Sequence, residues 1–199
     1  MIEPPSSGRK RATRSGERRA PGVRAALPAD ASSVARVFVD CWKEGYHGVL
    51  PTAYAAGLSY EEQTENWRRV IAMPGNATLV ATSRAGDVIA FLSGGPERSA
   101  RSNYFAEIYG LYVLPEFRGN NLGRMLLARF CTRLLAIGLR TLTVRVVEAN
   151  PIRGFYEAMG GVEQDTTPVR IAGRSLNEVA YGWHDIRPLS QGTPSGTPS

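Results

Sequence analysis

The 199-residue sequence predicts an α/β domain, with a mixed central sheet of about six to seven strands and helices on both faces. Three observations support this fold class. Apolar residues first recur at helical spacing, short β-branched runs separated by turn residues follow, and one strand-helix-strand crossover lies near the C terminus. No segment is apolar over the roughly 18 residues that a membrane helix needs, so no membrane span is expected.

Two helical patterns come early in the chain. After a short strand at residues 23–27, residues 28–46 predict a helix. The face of this helix that should be buried carries Val34, Val37, Phe38, Cys41 and Trp42. Residues 59–72 predict a second helix, because Ser59 is followed three residues later by Glu62, the spacing of a capping box.

The remaining segments supply the sheet and two further helices. Strands are predicted at 77–84, 88–95, 104–114, 141–147, 161–170 and 177–186, and the β-branched run 141–147 is expected to be central. Residues 121–138 predict a helix ended by Gly138, with a buried stripe formed by Leu122, Leu126, Phe130, Leu134 and Ile137. Residues 150–159 predict a short helix stopped by Gly160 and Gly161.

The net charge of +6 is unevenly distributed along the chain. Residues 1–22 carry +4 of it and almost no aliphatic side chains, which predicts a disordered basic leader. The ordered domain is expected to span 23–187, and residues 188–199 are expected to form a low-complexity, disordered tail. The leader lacks the apolar core of a signal peptide, which favours a cytoplasmic protein.

Residues 118–124 join a predicted strand to a predicted helix. N–H groups in such a turn have no acceptor inside the helix, and the helix dipole adds positive potential, so the turn can bind phosphate. Arg118 and Arg124 add charged donors that suit a diphosphate. The segment matches neither the dinucleotide fingerprint nor the P-loop. An ordinary strand-to-helix connection is the alternative interpretation.

This turn and a later segment resemble the GCN5-related N-acetyltransferase (GNAT) superfamily. The family signature V-x-P-x-x-R-G, continued as R-x-x-G-x-G/A before a helix, is matched at Val113, Pro115, Arg118, Gly119 and Gly123. Asn121 stands where the family most often has glycine, and Asn tolerates a left-handed conformation. The segment from Asn150 through FYEAMGG resembles the last conserved block of the family. The resemblance covers residues 23–187 and implies the GNAT fold.

The resemblance implies acetyl-CoA as co-substrate. The pantetheine arm is expected to pair with Leu111, Tyr112 and Val113 where the sheet splays, and Gly110 lies where a bulge would be tolerated. The diphosphate is expected at Arg118, Gly119, Asn120, Asn121, Leu122, Gly123 and Arg124. Asn150 is implied to contact the pantetheine, and a role as a helix cap is the alternative.

Two residues are implied to transfer protons. Tyr156 corresponds to the general acid that protonates the leaving thiolate, although its spacing from Ile152 and Met159 also suits a core face. Glu107 is the candidate general base, acting through water, and a solvated strand-edge carboxylate is the alternative interpretation of this residue. Tyr46 and His47 are the alternative proton carriers. The N–H of Val113 is the implied oxyanion donor.

The acceptor is less well defined by the sequence. Trp42, Tyr46 and His47 are predicted to bind it, although Trp42 also fits the helix core. Small-molecule amines, peptide N termini and protein lysines all stay open, a homodimer is possible, and no metal site is predicted.

The sequence thus favours an N-acetyltransferase in which the amine attacks acetyl-CoA directly in a ternary complex. A catalytically silent acyl-CoA-binding module is one alternative. A nucleic-acid-binding protein using the basic leader is another, and the nearly balanced charge of the folded part counts against it.

Overall fold

The structure is a computed structural model that describes residues 22–45, 51, 54, 56–99 and 103–192. The predicted leader, except for Gly22, and the last seven residues lie outside the described residues, as do Tyr46 and His47. In the described part of the chain, no helix is long and apolar enough to cross a membrane.

A seven-stranded mixed sheet in the order β1-β2-β3-β4-β5-β7-β6 forms the centre of the fold. The strands are β1 (Val23–Ala25), β2 (Ala77–Thr82), β3 (Val88–Pro96), β4 (Ala106–Val113), β5 (Leu142–Val147), β6 (Val162–Ile171) and β7 (Arg174–Trp183). All neighbours pair antiparallel except β4 and β5, which are parallel. The predicted mixed sheet and the central position of β5 are therefore confirmed.

Helices lie on both faces of the sheet. Those with described bounds are α1 (Ala31–Gly45), α2 (Tyr60–Ala72), α3 (Leu122–Ala136), α4 (Arg153–Ala158) and α5 (Arg187–Ser190), with short 3₁₀ turns at Pro28–Asp30 and Pro115–Phe117. Helix α2 begins where predicted, since the Ser59 hydroxyl accepts a hydrogen bond from the Glu62 N–H at 3.3 Å. Along β3, the ring of Phe91 contacts Trp67 of α2, whereas Gly94 faces Phe130 of α3, so α2 and α3 cover opposite faces.

The core follows the predicted apolar stripes, although Phe38 and Trp42 of α1 are only partly buried and Ile137 is exposed. Leu122, Leu126, Phe130 and Leu134 are buried in α3, but Ile137 is 71% exposed. Helix α3 ends at Ala136, and Ile137 takes a non-helical conformation with φ −107° before the positive φ of Gly138. The prediction for Ile137 was wrong because the helical period no longer applies at the cap.

The ordered fold also continues past Arg187, where the sequence predicted it to end. Helix α5 packs against α3, and its Leu189 is fully buried together with Ile186. Low-complexity composition averaged over residues 188–199 hides this single apolar anchor. The described chain ends at Gly192, whose carbonyl lies 3.4 Å from Nη1 of Arg124.

Candidate active site

Strands β4 and β5 separate partway along their length. Residues 106–108 of β4 pair with residues 142–144 of β5, and beyond this point β4 continues with one unpaired edge. We call the space between the two strands beyond the last pair the gap. The Leu114 N–H donates to Ile89 on β3 at 3.1 Å. Because peptide groups alternate along a strand, those of Leu111 and Val113 point the other way, into the gap.

A β-bulge accompanies the opening. Ser93 pairs with Gly110 and Gly94 pairs with Ile108, so Tyr109 is the extra residue on β4. The bulge lies beside Gly110, as expected, and immediately after the last residue of β4 that pairs with β5. It therefore marks the apex of the gap.

The turn after β4 presents backbone donors at the other end of the gap. Gly119 has φ +79° and Asn121 has φ +59°, which turns the chain sharply into α3. Asn121 makes no side-chain capping bond, and the Met125 N–H donates to Asn121 O at 2.9 Å. Helix geometry leaves the N–H groups of residues 122–124 without acceptors inside α3. This end of the gap suits an anion.

The side chain of Arg118 links this turn to α1. Its two terminal nitrogens donate to the carboxylate of Glu44 at 2.9 and 2.7 Å, and its Nε donates to the Val113 carbonyl at 3.2 Å. The hydrogen bond raises the pKa of Arg118 and lowers that of Glu44. The guanidinium therefore stays charged at the mouth of the gap.

A cleft of about 530 Å³ joins the gap to the turn. It is lined by the predicted cofactor contacts Leu111, Tyr112, Val113, Arg118, Gly119, Asn121, Leu122, Gly123, Arg124 and Asn150. Asn120 is the predicted contact that lies outside this lining, since its side chain donates to the carbonyls of Phe117 and Arg118 at 3.2 and 3.4 Å. A volume of this size is typical of a small-molecule site.

Sequence reasoning missed several cleft residues. Cys41, Glu44 and Gly45 reach it from the last turn of α1, and Phe117, Pro151, Ile152 and Phe155 complete the wall. Cys41 was assigned only to the helix core. Its thiol donates to the Val113 carbonyl at 3.4 Å, and burial raises its pKa to about 11. Helical spacing identified the apolar face of α1 but gave no signal that its end borders a ligand cleft.

Asn150 lies in the turn that precedes α4. Its Oδ1 accepts from the Ile152 N–H at 3.0 Å, whereas Ile152 itself is the N-cap residue of α4, which has no side-chain capping bond. Its amide NH₂ forms no hydrogen bond to the described residues, and the residue lines the cleft. The turn thus holds the Asn150 side chain through its oxygen and leaves its NH₂ group at the cleft.

Tyr156 lies in the core. It is 3% exposed, and its ring contacts Phe155, Tyr181 and Trp183 at centroid distances of 5.5–6.3 Å. Phe155, the preceding residue, lines the cleft. A Cβ added to Gly123 would lie 3.3 Å from the Phe155 ring, so glycine at this position lets the ring approach α3 closely.

Glu107 is 4% exposed and its carboxylate is fully engaged. Arg98 donates from Nε and Nη2 to its two oxygens at 3.0 and 2.6 Å, and from its backbone N–H at 3.2 Å. The Arg98 guanidinium also lies 4.1 Å from the centre of the Tyr109 ring. The ion pair raises the pKa of Arg98, which stays charged.

Trp42 belongs to an aromatic cluster beside the gap. Its indole N–H donates to the Tyr112 hydroxyl at 3.1 Å, and its ring contacts Phe38 and Tyr54. The structure thus brings Trp42 to the side chain of a predicted cofactor contact, but not into the lining of the cleft. Among the described residues, no group of acidic, histidine or cysteine side chains could hold a metal ion.

Known proteins share both the sequence pattern and the fold. Residues 39–160 match the model of the acetyltransferase (GNAT) family. The uncharacterized N-acetyltransferase YuaI of Bacillus subtilis (strain 168) is 35% identical over 167 residues, which cover 84% of this chain and 95% of that protein.

Solved structures share the fold of this chain. A PaiA N-acetyltransferase from Thermoplasma acidophilum, in complex with coenzyme A, is 20% identical with a TM-score of 0.64, covering 81% of this chain and 98% of its own. A phosphinothricin acetyltransferase from Sinorhizobium meliloti, in complex with acetyl-CoA, is 23% identical with a TM-score of 0.64, covering 82% of this chain and 87% of its own. At these identities the likeness shows the fold. Because the family model spans more than half of the chain and the Bacillus subtilis relative matches most of it, the chain belongs to the acetyltransferase (GNAT) family.

Proposed function

We propose that this protein transfers an acetyl group from acetyl-CoA to a primary amine, by direct attack of the amine in a ternary complex. One observation carries the proposal. The open edge of β4 and the unpaired N–H groups at the start of α3 line a single cleft. Family membership and the coenzyme A complexes of the two structural relatives support the same ligand.

The donors in the cleft fit such a ligand. The N–H groups of residues 122–124, with Arg118 and Arg124, would bind the diphosphate. The Val113 carbonyl already accepts from Arg118 and Cys41, so Leu111 and Val113 offer mainly N–H donors to the amides of the pantetheine arm. Bound acetyl-CoA would supply an activated acyl thioester, and the Val113 N–H is the proposed oxyanion donor.

Proton transfer is assigned to two residues. Glu107 would receive the proton of the amine through water, on the face of the sheet where it pairs with Thr143 at the apex of the gap. Tyr156 would protonate the leaving thiolate from beneath Phe155. The engagement of Glu107 by Arg98 and the burial of Tyr156 favour one competing function, a silent acyl-CoA-binding module.

Calorimetry tests the binding step. Arg124→Gln should weaken acetyl-CoA binding about tenfold, the loss expected for one charge-assisted hydrogen bond. Arg129→Gln is the matched control, because Arg129 is also exposed on α3 but does not line the cleft. Equal affinity of the two variants would contradict the assigned diphosphate site.

Thiol release in the presence of a panel of amines tests the chemistry. Tyr156→Phe and Glu107→Gln should each lower kcat about 100-fold or more while acetyl-CoA still binds. Tyr60→Phe, at an exposed tyrosine of α2, should leave turnover unchanged. Binding without thiol release for any amine would identify a silent module, and unchanged turnover in Tyr156→Phe would remove its role as the acid.

A further inference from the structure

A second cavity of about 740 Å³ lies over the other half of the sheet. It extends from Thr143 and Arg145 on β5 across β7 to Asp165 and Thr167 on β6. Thr143 and Arg145 alternate with Val144, which is buried in the core, so this groove lies on the opposite face of β5. Glu107 pairs with Thr143 across the parallel strands and points to the same side.

The register places the groove beside the apex of the gap. Pairing of β4 with β5 ends at Val144, so Arg145 is the first β5 residue at the apex of the gap. The proposed diphosphate site lies at the far end of β4, after Val113. A pantetheine arm that starts there and follows β4 back toward Tyr109 would bring its thioester to the apex. An acceptor that reaches the thioester from the face of Thr143 and Arg145 would approach beside Arg145.

The groove carries both signs of charge. Arg145 donates to Thr167 Oγ1 and to Asp165 Oδ2, each at 3.1 Å, and its Nη1 also lies 3.1 Å from Asp165 Oδ1. Its Nε–H forms no hydrogen bond to the described residues. Asp165 is 53% exposed on an edge strand, next to a register irregularity between Glu163 and Thr166. A ligand carboxylate can thus displace the exposed Asp165 carboxylate from Arg145 and also accept a hydrogen bond from the Arg145 Nε–H. Glu97, whose Oε1 accepts from the Ser99 N–H, lines the groove and supplies negative charge for an ammonium group.

We propose that this groove binds the acceptor, and that Arg145 selects an amine that also bears a carboxylate, as an amino acid does. The proposal rests on the proposed acetyl transfer and adds the substrate class. A bidentate guanidinium favours a planar carboxylate over a neutral amide of the same shape. Arg145 acts here as a specificity-determining residue, and the chemical step stays with the residues named above.

Matched acceptors provide the test. Each L-amino acid is compared with its own amide in thiol release and, by calorimetry, in binding to protein saturated with coenzyme A. The free acid should be favoured about tenfold or more in kcat/KM, as expected for a charge-assisted hydrogen bond. Arg145→Gln should abolish this preference, mainly through KM, while acetyl-CoA affinity and turnover of the amides stay unchanged. Arg170→Gln, at an exposed β6 arginine that does not line the groove, should keep the preference.

The outcomes separate the two proposals. A wild-type protein that does not distinguish acid from amide, or an Arg145→Gln variant that still does, would overturn the role of Arg145. Binding of amino acids that depends on Arg145, without thiol release, would overturn acetyl transfer and leave the groove assignment standing. Turnover of amines with no binding of any carboxylate-bearing amine at millimolar concentration would overturn the groove assignment alone.

Discussion

Asn121 gives a sharp test of the turn at the start of α3. Its backbone is left-handed, with φ 59° and ψ 10°, and its side chain makes no capping hydrogen bond. Left-handed geometry costs an ordinary L-residue about 1–2 kcal/mol, whereas Gly adopts it freely and Asn tolerates it. A substitution here therefore changes backbone strain without removing a side-chain bond.

The expected free energies of unfolding follow from this geometry. Asn121→Ala should lose about 1 kcal/mol and Asn121→Val about 2 kcal/mol, because a β-branched side chain suits this region least. Asn121→Gly should stay within about 0.5 kcal/mol of wild type, since relief of strain is offset by the greater freedom of glycine in the unfolded chain. For a domain of this size, 1 kcal/mol corresponds to about 2–4 °C in Tm.

Thermal unfolding and calorimetry with coenzyme A check these values. If the alanine variant relaxes out of the left-handed region, affinity should fall by up to about fivefold, the equivalent of 1 kcal/mol. Asn120→Ala is the control, since its exposed side chain makes only long bonds to two carbonyls and its φ is not positive. A valine variant at Asn121 with wild-type Tm and affinity would refute the reasoning.

Three further outcomes are expected elsewhere in the fold. Gly94→Ala should lower the free energy of unfolding, measured by chemical denaturation, by about 3 kcal/mol, because the added Cβ would lie 2.5 Å from Phe130 Cζ and 2.6 Å from the Glu107 carbonyl of β4. Wild-type stability of this variant would contradict the packing. Leu189→Ala should lower the free energy of unfolding by about 3 kcal/mol in the same assay, and an unchanged value would mean that α5 does not pack against α3. With Cys131 replaced by Ser, alkylation of Cys41 should be slow at pH 8 and rise about tenfold per pH unit toward its pKa of about 11; the rate of an ordinary exposed thiol at pH 8 would show that Cys41 is not buried.

The sequence predicted the local elements because their signals are local. The stripe of α3 and the cap at Ser59 depend on spacings of three and four residues, and both appear in the structure. The prediction that Ile137 is buried failed because the helical period was extended one residue past the end of α3. The burial of Leu189 was missed because the composition averaged over residues 188–199 concealed one apolar side chain.

The candidate site also contains residues that local sequence signals identify and residues that only the fold brings together. The turn at residues 118–124 is contiguous in sequence, so its residues could be named from the sequence, and all but Asn120 line the cleft. Glu44 and Arg145 could not be named, because their positions depend on strand and helix pairings over long sequence separations. Arg98 was missed as well, since nothing in its sequence neighbourhood indicates that it pairs with Glu107.

The gap in the sheet holds its shape through contacts from outside the sheet. An open strand edge leaves backbone groups unpaired, which is costly unless partners are supplied. Here Cys41 and Arg118 supply donors to the Val113 carbonyl, and Glu44 holds Arg118 from α1, 74 positions away in sequence. The Val113 carbonyl is satisfied, whereas the Leu111 carbonyl and the N–H groups of both residues stay open, so the edge presents two donors and one acceptor to the amides of a ligand. A shift in the last turns of α1 would alter both the partners of the Val113 carbonyl and the charge beside residues 118–124, which would couple that helix to the proposed diphosphate site.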